Sequence, residues 1–238
     1  MSAPTRVNES LAMRPGESIA QWSLRQFGPP AAEAQHAAPC RSPDAAPAVS
    51  PRWQRANALL ERSLPPSHVE CRLDAPELSK RVCGAAIGIG GRAFHEPRVC
   101  FIGASRAGKT SLAVAMLRAW VARYERRAMF FAAHRLGVAR LQHPAGHGEA
   151  PLVEAAMDAP LVLLDDLGSE RDFPSNPIAD VIFERHARDL PTWVTTGLSR
   201  DALVVRYGAG VTARLFERAR VIHLGPKTSS TKTTASQK

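Results

Sequence analysis

Cysteines and long apolar runs are both scarce in this 238-residue sequence. The four cysteines, Cys40, Cys71, Cys83 and Cys100, include no Cys-x-x-Cys pair, so neither a disulfide scaffold nor a zinc ribbon is indicated. No uninterrupted stretch of about 18 apolar residues is present, and residues 1–28 lack a cationic start followed by an apolar run. We therefore expect a cytoplasmic protein with reduced thiols and no membrane partner.

Acidic side chains are also in the minority. The chain carries 22 Asp and Glu against 31 Lys and Arg, a formal net charge of +9 at pH 7. Such a surplus favours a polyanionic partner such as nucleic acid, although acidic proteins and membranes also attract basic surfaces. The length suits one α/β domain of ordinary size with an appendage and excludes two large domains.

Composition divides the chain into five parts. Residues 1–28 carry a broken apolar pattern that predicts a short helical or adaptor segment, and residues 29–51 form a Pro/Ala-rich flexible linker. Residues 52–97 read as a helical lead-in, and residues 98–225 as the main domain. Residues 226–238 are a Ser/Thr/Lys tail that is too polar to fold alone.

Apolar runs alternate with helical segments throughout the main domain. This alternation predicts a parallel sheet covered by helices on its faces. Ser175 and Ser199 are placed to cap two of the helices, and Gly208 to stop the second one. The five predicted strands are Val99 to Ile102, Ala128 to Ala133, Leu161 to Leu164, Trp193 to Thr196 and Val221 to Leu224.

The segment Gly103 to Thr110 fits the phosphate-binding pattern Gly-x-x-x-x-Gly-Lys-Thr. It follows a predicted strand and opens a predicted helix, which is where that P-loop must lie. Gly103 and Gly108 let the backbone curl so that N–H groups face phosphate oxygens, and Lys109 adds a point charge. The residues predicted to contact ATP are Gly103, Ala104, Ser105, Arg106, Ala107, Gly108, Lys109, Thr110 and Ser111.

A Mg²⁺ site is expected beside the P-loop. Thr110 supplies a hydroxyl, and Asp165 stands at the end of the next strongly apolar strand, about 55 residues later. Asp166 is the predicted residue that orients and polarises the attacking water, with bonding of its own loop as the alternative. Glu170, on the same loop, is a competing base.

At this point the residues resemble the DnaC/IstB-like AAA+ ATPases, a family of bacterial helicase loaders and ATP-binding helpers of insertion-sequence transposases. The resemblance covers roughly Val99 to Leu224. It rests on the P-loop segment, on Leu163-Leu-Asp-Asp-Leu-Gly, on Thr195-Thr-Gly-Leu-Ser, and on Arg206-Tyr-Gly followed by Ala213-Arg-Leu. It implies a P-loop NTPase fold of the AAA+ type with five parallel strands and a reduced or absent lid.

The same resemblance implies roles for two further residues. Arg214 resembles the arginine finger, which reaches the γ-phosphate of an adjacent subunit and so requires a homo-oligomer in the ATP-bound state. The polar sensor residue after the fourth strand is usually Asn in this family, whereas the aligned residue here is Gly197, so Thr196 is the expected substitute.

Three functions remain open from the sequence. The first choice is a helicase loader that acts on single-stranded DNA and a replicative helicase, followed by a helper of a DNA transposase. The third is an adaptor that binds ATP without hydrolysing it, which the residue Gly197 keeps open. A small-molecule kinase is disfavoured because no substrate lid or acceptor pocket is recognisable.

Four arginines recur on or after the P-loop helix: Arg118, Arg123, Arg126 and Arg127. They could follow a phosphate backbone on the inner surface of an oligomer. Arginines at helical spacing are more often simply solvated, and the sequence favours that interpretation.

Overall fold

The computed structural model describes residues 50–170 and 176–225. The helical segment predicted within 1–28, the linker up to residue 49 and the polar tail 226–238 lie outside the described residues. Among the residues that are described, no helix is long and apolar enough to cross a membrane.

Five parallel strands form one sheet, in the order β2-β3-β4-β1-β5. The expected five-stranded parallel sheet is therefore confirmed. The strands are β1 (Arg98–Gly103), β2 (Ala128–Ala132), β3 (Leu161–Leu167), β4 (Thr192–Thr196) and β5 (Arg220–Leu224). β3 continues three residues beyond the predicted apolar run, with a register shift against β4 between Leu164 and Leu167. All carboxyl ends share one edge of the sheet, which brings Gly103, Asp165 and Thr196 to the same side of the molecule.

Helices cover both faces of the sheet. Val99 and Phe101 belong to one core cluster and Cys100 to the other, as expected for alternating side chains of a strand buried on both faces. The helices are α1 (Pro51–Ser63), α2 (Pro76–Arg81), α3 (Gly84–Ala93), α4 (Lys109–Tyr124), α5 (Ala133–Gln142), α6 (Pro151–Asp158), α7 (Pro177–Ala187) and α8 (Arg200–Phe216), with a 3₁₀ turn at Pro66–His68.

Helix α3 lies within residues 52–97, the segment that we expected to be a helical lead-in. Its sequence is glycine-rich, and glycine has low helix propensity, so local pattern disfavours a helix here. The helix lies against α4: a Cβ at Gly90 would come within 3.0 Å of both Leu112 and Met116. Small residues therefore let the two helices approach closely, and the contact between them overrides local propensity.

The β2 edge of the sheet is covered by α1. The backbone N–H of Phe130 donates to Ser63 Oγ at 3.2 Å, which satisfies an edge group that would otherwise be unpaired. Arg118 of α4 joins the same arrangement: only 7% exposed, it donates to Asn57, to Glu61 and to the Val69 carbonyl. Arg118 therefore neither contacts a phosphate backbone nor lies in solvent, the two interpretations considered from the sequence. Its guanidinium instead joins the lead-in segment to α4 by hydrogen bonds.

The caps of α7 and α8 can be compared with their predictions. α7 is capped by Asn176, whose side-chain oxygen accepts from the Ile178 N–H at 3.0 Å, so the prediction of Ser175, which lies outside the described residues, is wrong. Ser199 caps α8 as expected, accepting from the Ala202 N–H. Gly208 interrupts α8 with φ of 84° and ψ of 161°, so the predicted stop is a kink between two helical segments.

Arg185 is a fully buried arginine on α7. One guanidinium nitrogen donates to the carbonyls of Ala156, Met157 and Ala159 at the end of α6, and Nε donates to Thr192 Oγ1. Burial lowers the pKa of Arg185 to about 10, so the side chain remains protonated at neutral pH. The positive charge faces the negative end of α6, which compensates part of the cost of burying it.

We expect Arg185→Met to lower the free energy of unfolding by about 3 kcal/mol or more, because several buried carbonyls would lose their donor at once. Urea unfolding followed by circular dichroism measures this change. Arg188→Met is the matched control, since Arg188 lies at the surface and pairs only with the exposed acids Asp158 and Glu184. Equal midpoints for the two variants would show that these carbonyls do not depend on the guanidinium.

Candidate nucleotide-binding site

The P-loop connects β1 to α4 with two residues in the left-handed region. Arg106 has φ of 62° and Gly108 has φ of 85°. A Cβ at Gly108 would also lie 2.6 Å from Val82 Cγ2 and 2.9 Å from the Arg81 carbonyl oxygen. Both the backbone conformation and the packing of the lead-in segment therefore require glycine at this position.

Gly103 is required for a different reason than the sequence suggested. It is the last residue of β1, and its φ lies outside the left-handed region, so it does not serve as a turn residue. A Cβ at this position would lie 2.2 Å from the Leu224 carbonyl oxygen. The missing side chain is what allows β5 to pair with the end of β1.

Lys109 points back into the loop that precedes it. Its Nζ donates to the carbonyl oxygens of Gly103 and Ala104, each at 2.9 Å, and the residue is buried. An ammonium held at the concave side of a P-loop can place its remaining N–H on a phosphate oxygen. Residues 104–106 form the exposed tip of this loop, whereas Ala107 is buried beneath it.

The expected metal ligands meet at the edge of the sheet. Thr110 Oγ1 donates to Asp165 Oδ1 at 2.8 Å. Adjacent ligands of an octahedral Mg²⁺, with bonds of about 2.0–2.1 Å, lie about 3 Å apart, so the two oxygens fit one coordination sphere with little movement. Burial raises the pKa of Asp165. The hydroxyl groups of Thr195 and Thr110 lower it, because they donate to the carboxylate, and the charge of Asp166 raises it further.

Thr195 is a site residue that the sequence analysis missed. Its hydroxyl donates to Asp165 Oδ1 at 2.7 Å and accepts from the Asp166 N–H at 2.9 Å. It therefore orients the predicted metal ligand and the residue after it. The only sequence signal was a second threonine at the end of β4, which could not show that Thr195 faces β3.

Thr196 does not fit the catalytic role expected for it. It is fully buried, its hydroxyl donates to the Leu167 carbonyl at 2.8 Å, and it accepts from the Leu198 N–H at 3.0 Å. Both hydrogen bonds of the hydroxyl are thus taken up by backbone groups at the end of β3 and in the segment that follows β4. Gly197 has the expected position, because a Cβ there would lie 3.8 Å from the Gly103 carbonyl oxygen with open space around it.

Asp166 and Glu170, the two candidate bases, differ in accessibility. Asp166 is exposed, in the left-handed region at φ of 59°, and follows Asp165 directly. Glu170 is only 4% exposed, and its carboxylate accepts from the Gly168 N–H at 3.0 Å and from the Tyr207 hydroxyl. Burial raises the pKa of Tyr207, and its bond to Glu170 adds to that shift. Glu170 as the competing base is therefore disfavoured, and Asp166 is the acid that can face a ligand.

The lead-in segment forms one wall of the site, which sequence reasoning did not anticipate. Burial raises the pKa of the Cys71 thiol, while the neighbouring Ser111 hydroxyl acts in the opposite direction. Burial lowers the pKa of His68, while the nearby charge of Asp165 acts in the opposite direction. The turn at Pro66–His68 thus lies beside the P-loop although it is about 40 residues away in the chain.

Arg214 lies far from the P-loop of its own chain. It lines a small cavity together with Arg98 and Thr192, the first residues of β1 and β4. Gly103, where the P-loop begins, is the last residue of the same strand β1. At about 3.3 Å per residue, it lies about 16 Å from Arg98. The Arg214 guanidinium lies 4.5 Å from the ring centre of Phe183 and donates to the Gly210 carbonyl.

Three solved structures share this architecture. The DnaC helicase loader is 23% identical over 67% of this chain and 99% of that chain, with a TM-score of 0.57. DnaI is 19% identical over 71% and 96% of the two chains, also at 0.57. The chain has the fold of DnaC and DnaI. The AMPPCP-bound DnaA of Aquifex aeolicus is 16% identical over 68% of this chain and 51% of that chain, at 0.50.

This DnaC-like fold confirms the predicted five-stranded parallel sheet flanked by helices, with the P-loop between β1 and α4. At these identities the similarity extends to the fold alone. No protein-family model matches the sequence, and no curated protein matches it. The ligand and the partners of the DnaC-like chain must therefore be inferred from its own residues.

We expect Thr195→Val, which keeps the side-chain shape, to weaken Mg²⁺-dependent ATP binding about tenfold. The loss of one hydroxyl removes a bond to Asp165 and leaves the Asp166 N–H without its acceptor, a cost of about 1–3 kcal/mol. Titration of a fluorescent ATP analogue, with and without Mg²⁺, measures the effect. Thr195→Ser keeps the hydroxyl and should bind like the parent, so an equal loss in both variants would contradict this role.

Proposed function

We propose that this chain is an ATP-binding, Mg²⁺-dependent ATPase of the AAA+ type, located in the cytoplasm, that assists DNA replication as a DnaC-like helicase loader. The observation that carries the ATPase proposal is the contact of Thr110 with Asp165 at 2.8 Å, beside Lys109. Similarity to the DnaC helicase loader supports the loader role.

The P-loop residues would hold the phosphates of ATP. Backbone N–H groups of residues 104–110 and the Lys109 ammonium would bind phosphate oxygens, while Thr110 and Asp165 would hold Mg²⁺. Mg²⁺ held there would supply charge neutralisation for the β- and γ-phosphates. Asp166, exposed beside Asp165, orients the attacking water and accepts its proton. The AMPPCP-bound state of the structurally similar DnaA supports a nucleotide as the ligand.

The position of Arg214 supports a site that is shared between subunits. Since Arg214 and the P-loop lie at opposite ends of the sheet, Arg214 cannot reach a nucleotide bound to its own chain. A second copy docked head to tail brings its Arg214 to the first copy's γ-phosphate. ATP then favours a homo-oligomer, because the nucleotide contacts both subunits, and hydrolysis releases that state.

The proposed DNA contact lies along the β2 edge of the sheet. Arg52 and Arg55 are exposed on α1, which covers this edge, and Arg126 and Arg127 are exposed in the connection into β2. We call these four residues the β2-edge arginines. Arg52 lies in the first turn of α1, where the helix dipole disfavours a cation and no acidic residue compensates.

An aromatic side chain accompanies the β2-edge arginines. Tyr124, at the end of α4, is 41% exposed, and the Arg123 guanidinium lies 6.0 Å from its ring centre. Exposed aromatic rings beside arginines suit single-stranded DNA, because bases stack on the ring while arginines neutralise phosphates. Arg123, Arg126 and Arg127 thus keep the role considered from the sequence, whereas Arg118 loses it.

A nonhydrolysing adaptor is the second candidate, favoured by a specific observation. Gly197 supplies no polar group at the sensor position, and the hydroxyl of Thr196 is occupied by backbone bonds. In that case ATP would act as a structural ligand. An IstB-like helper of a transposase remains the alternative within the ATPase proposal, and co-purification with a transposase instead of a replicative helicase would favour it.

We expect Lys109→Ala and Arg214→Ala each to lose ATP hydrolysis, and an equimolar mixture of the two to regain part of it. A mixed interface contains an intact P-loop from one subunit and an intact Arg214 from the other. Phosphate release, measured with and without single-stranded DNA alongside the oligomeric state, tests this outcome.

Two further results decide between motor and adaptor. Tight ATP binding without turnover, unaffected by Arg214→Ala, would refute the motor and support the adaptor. In that case Gly197→Asn, which the open space beside Gly103 accommodates, should raise hydrolysis above that of the parent.

We expect the double variant Arg126→Ala/Arg127→Ala to bind single-stranded DNA more weakly and with a shallower salt dependence. Loss of two phosphate contacts reduces the slope of log K against log salt concentration by about 1.4. Fluorescence anisotropy at several salt concentrations measures the slope. The control Arg218→Ala/Arg220→Ala removes equal charge at the opposite edge, beside β5. Equal slopes for the two double variants would indicate non-specific attraction.

A further inference from the structure

Glu170 is a buried acid with no part in the proposed ATP chemistry. The side chain is 1% exposed, although it belongs to the connection that follows β3. Oε2 accepts from the Gly168 N–H at 3.0 Å, and Oε1 accepts from the Tyr207 hydroxyl and from Asn176 Nδ2 at 3.4 Å. The carboxylate is therefore held by several donors instead of facing the P-loop.

Arg206 completes this arrangement from the same helix as Tyr207. Its guanidinium donates to the Glu170 carbonyl oxygen, and its Nε lies 3.8 Å from Glu170 Oε1. A buried carboxylate costs several kcal/mol in lost hydration, which only well-placed partners offset. Buried ionic contacts are therefore weak as a source of stability and are better suited to selecting one arrangement of the elements that they join.

The two joined elements carry the two halves of the proposed ATP site. Glu170 follows Asp165 and Asp166 by a few residues, at the P-loop edge of the sheet. Tyr207 is the last residue of the first segment of α8, directly before the kink at Gly208, and Arg214 lies on the second segment. We call the contact of Glu170 with Arg206 and Tyr207 the β3–α8 latch.

The kink beyond the latch has the properties of a hinge. Gly208 has φ of 84°, and a Cβ at this position would meet nothing within 4 Å. Beyond the kink, Val211 and Leu215 pack into the core and Thr212 Oγ1 donates to the Gly208 carbonyl oxygen at 3.0 Å. The angle of the second segment is therefore set jointly by these contacts and by how the first segment is held. On that second segment Arg214 packs on Phe183 and Gly210, all at a half-exposed surface.

We propose that Glu170 is a positioning residue: through the β3–α8 latch, it holds α8 at the angle that presents Arg214 to the nucleotide of the neighbouring subunit. This inference rests on the proposed function, since it assigns a residue to the shared ATP site. The latch connects the edge of the sheet that is proposed to bind Mg²⁺ to the distant Arg214. A change at that edge would therefore alter the position of Arg214 at the other end of the subunit.

Weakening the latch should impair the Arg214 half of the shared site and leave the half formed by the P-loop and Asp165 intact. Glu170→Gln keeps the shape but removes the charge, and Tyr207→Phe removes only the hydroxyl. Both variants should keep the ATP dissociation constant of the parent and lose about tenfold in kcat, since neither residue touches the P-loop groups. Glu154→Gln, an exposed acid on α6, is the matched control and should change neither value.

Mixing experiments then locate the defect. Combined with an excess of Lys109→Ala, Glu170→Gln supplies the nucleotide site and receives an intact Arg214 from its neighbour, so activity should match the parent mixed with the same excess of Lys109→Ala. Combined with Arg214→Ala, it must supply Arg214, and activity should fall about tenfold below the parent mixed with Arg214→Ala. The reverse asymmetry would assign Glu170 to its own nucleotide site, and equal losses or none would equally overturn the latch.

A readout without turnover separates this inference from the proposed ATPase. If Lys109→Ala and Arg214→Ala do not complement each other, the shared-site ATPase fails, and hydrogen exchange still tests the latch. Glu170→Gln and Tyr207→Phe should accelerate amide exchange in residues 209–216 while the exchange of β1 stays unchanged. Unchanged exchange in residues 209–216, in variants shown by circular dichroism to be folded, would refute the β3–α8 latch.

Discussion

The candidate site depends on one buried carboxylate that is held by two hydroxyl groups. Asp165 accepts from Thr110 on the P-loop helix and from Thr195 on β4, so three segments far apart in sequence converge on one oxygen atom. This convergence requires β1, β3 and β4 to be neighbours, in parallel, with their carboxyl ends at one edge. Because an unpartnered charge at that depth would be costly, the sheet order, the register of β4 and the position of the P-loop helix support one another.

The division of functional groups between the two ends of the sheet shapes the rest of the molecule. The P-loop and Asp165 lie at the carboxyl edge, and Arg214 lies beside the first residues of β1 and β4. Under the proposed function, each subunit would hold two halves of different sites, so the proposed chemistry would depend on assembly. Contacts that join the two halves, such as that of Glu170 with Tyr207, would then have a role that is absent from an enzyme with one complete pocket.

The glycines of this site are required for different reasons, and a left-handed backbone conformation is only one of them. Gly108 needs a left-handed conformation and close contact with Val82, whereas Gly103 needs only the absence of a Cβ so that β5 can pair. Gly197 meets neither condition, since its φ is ordinary and its surroundings are open. The lack of a polar group there is therefore not imposed by the fold.

The sequence by itself determined the features that depend on contiguous residues and on periodicity. These are the P-loop from Gly103 to Thr110, the alternation of strands and helices, and an acid at the end of β3. The tertiary structure alone decided which threonine faces Asp165, why Arg118 and Glu170 are buried, and how the glycine-rich α3 packs against α4. Local pattern could not supply these, because the direction of a strand-end side chain depends on its register with neighbouring strands, and burial depends on elements distant in the chain.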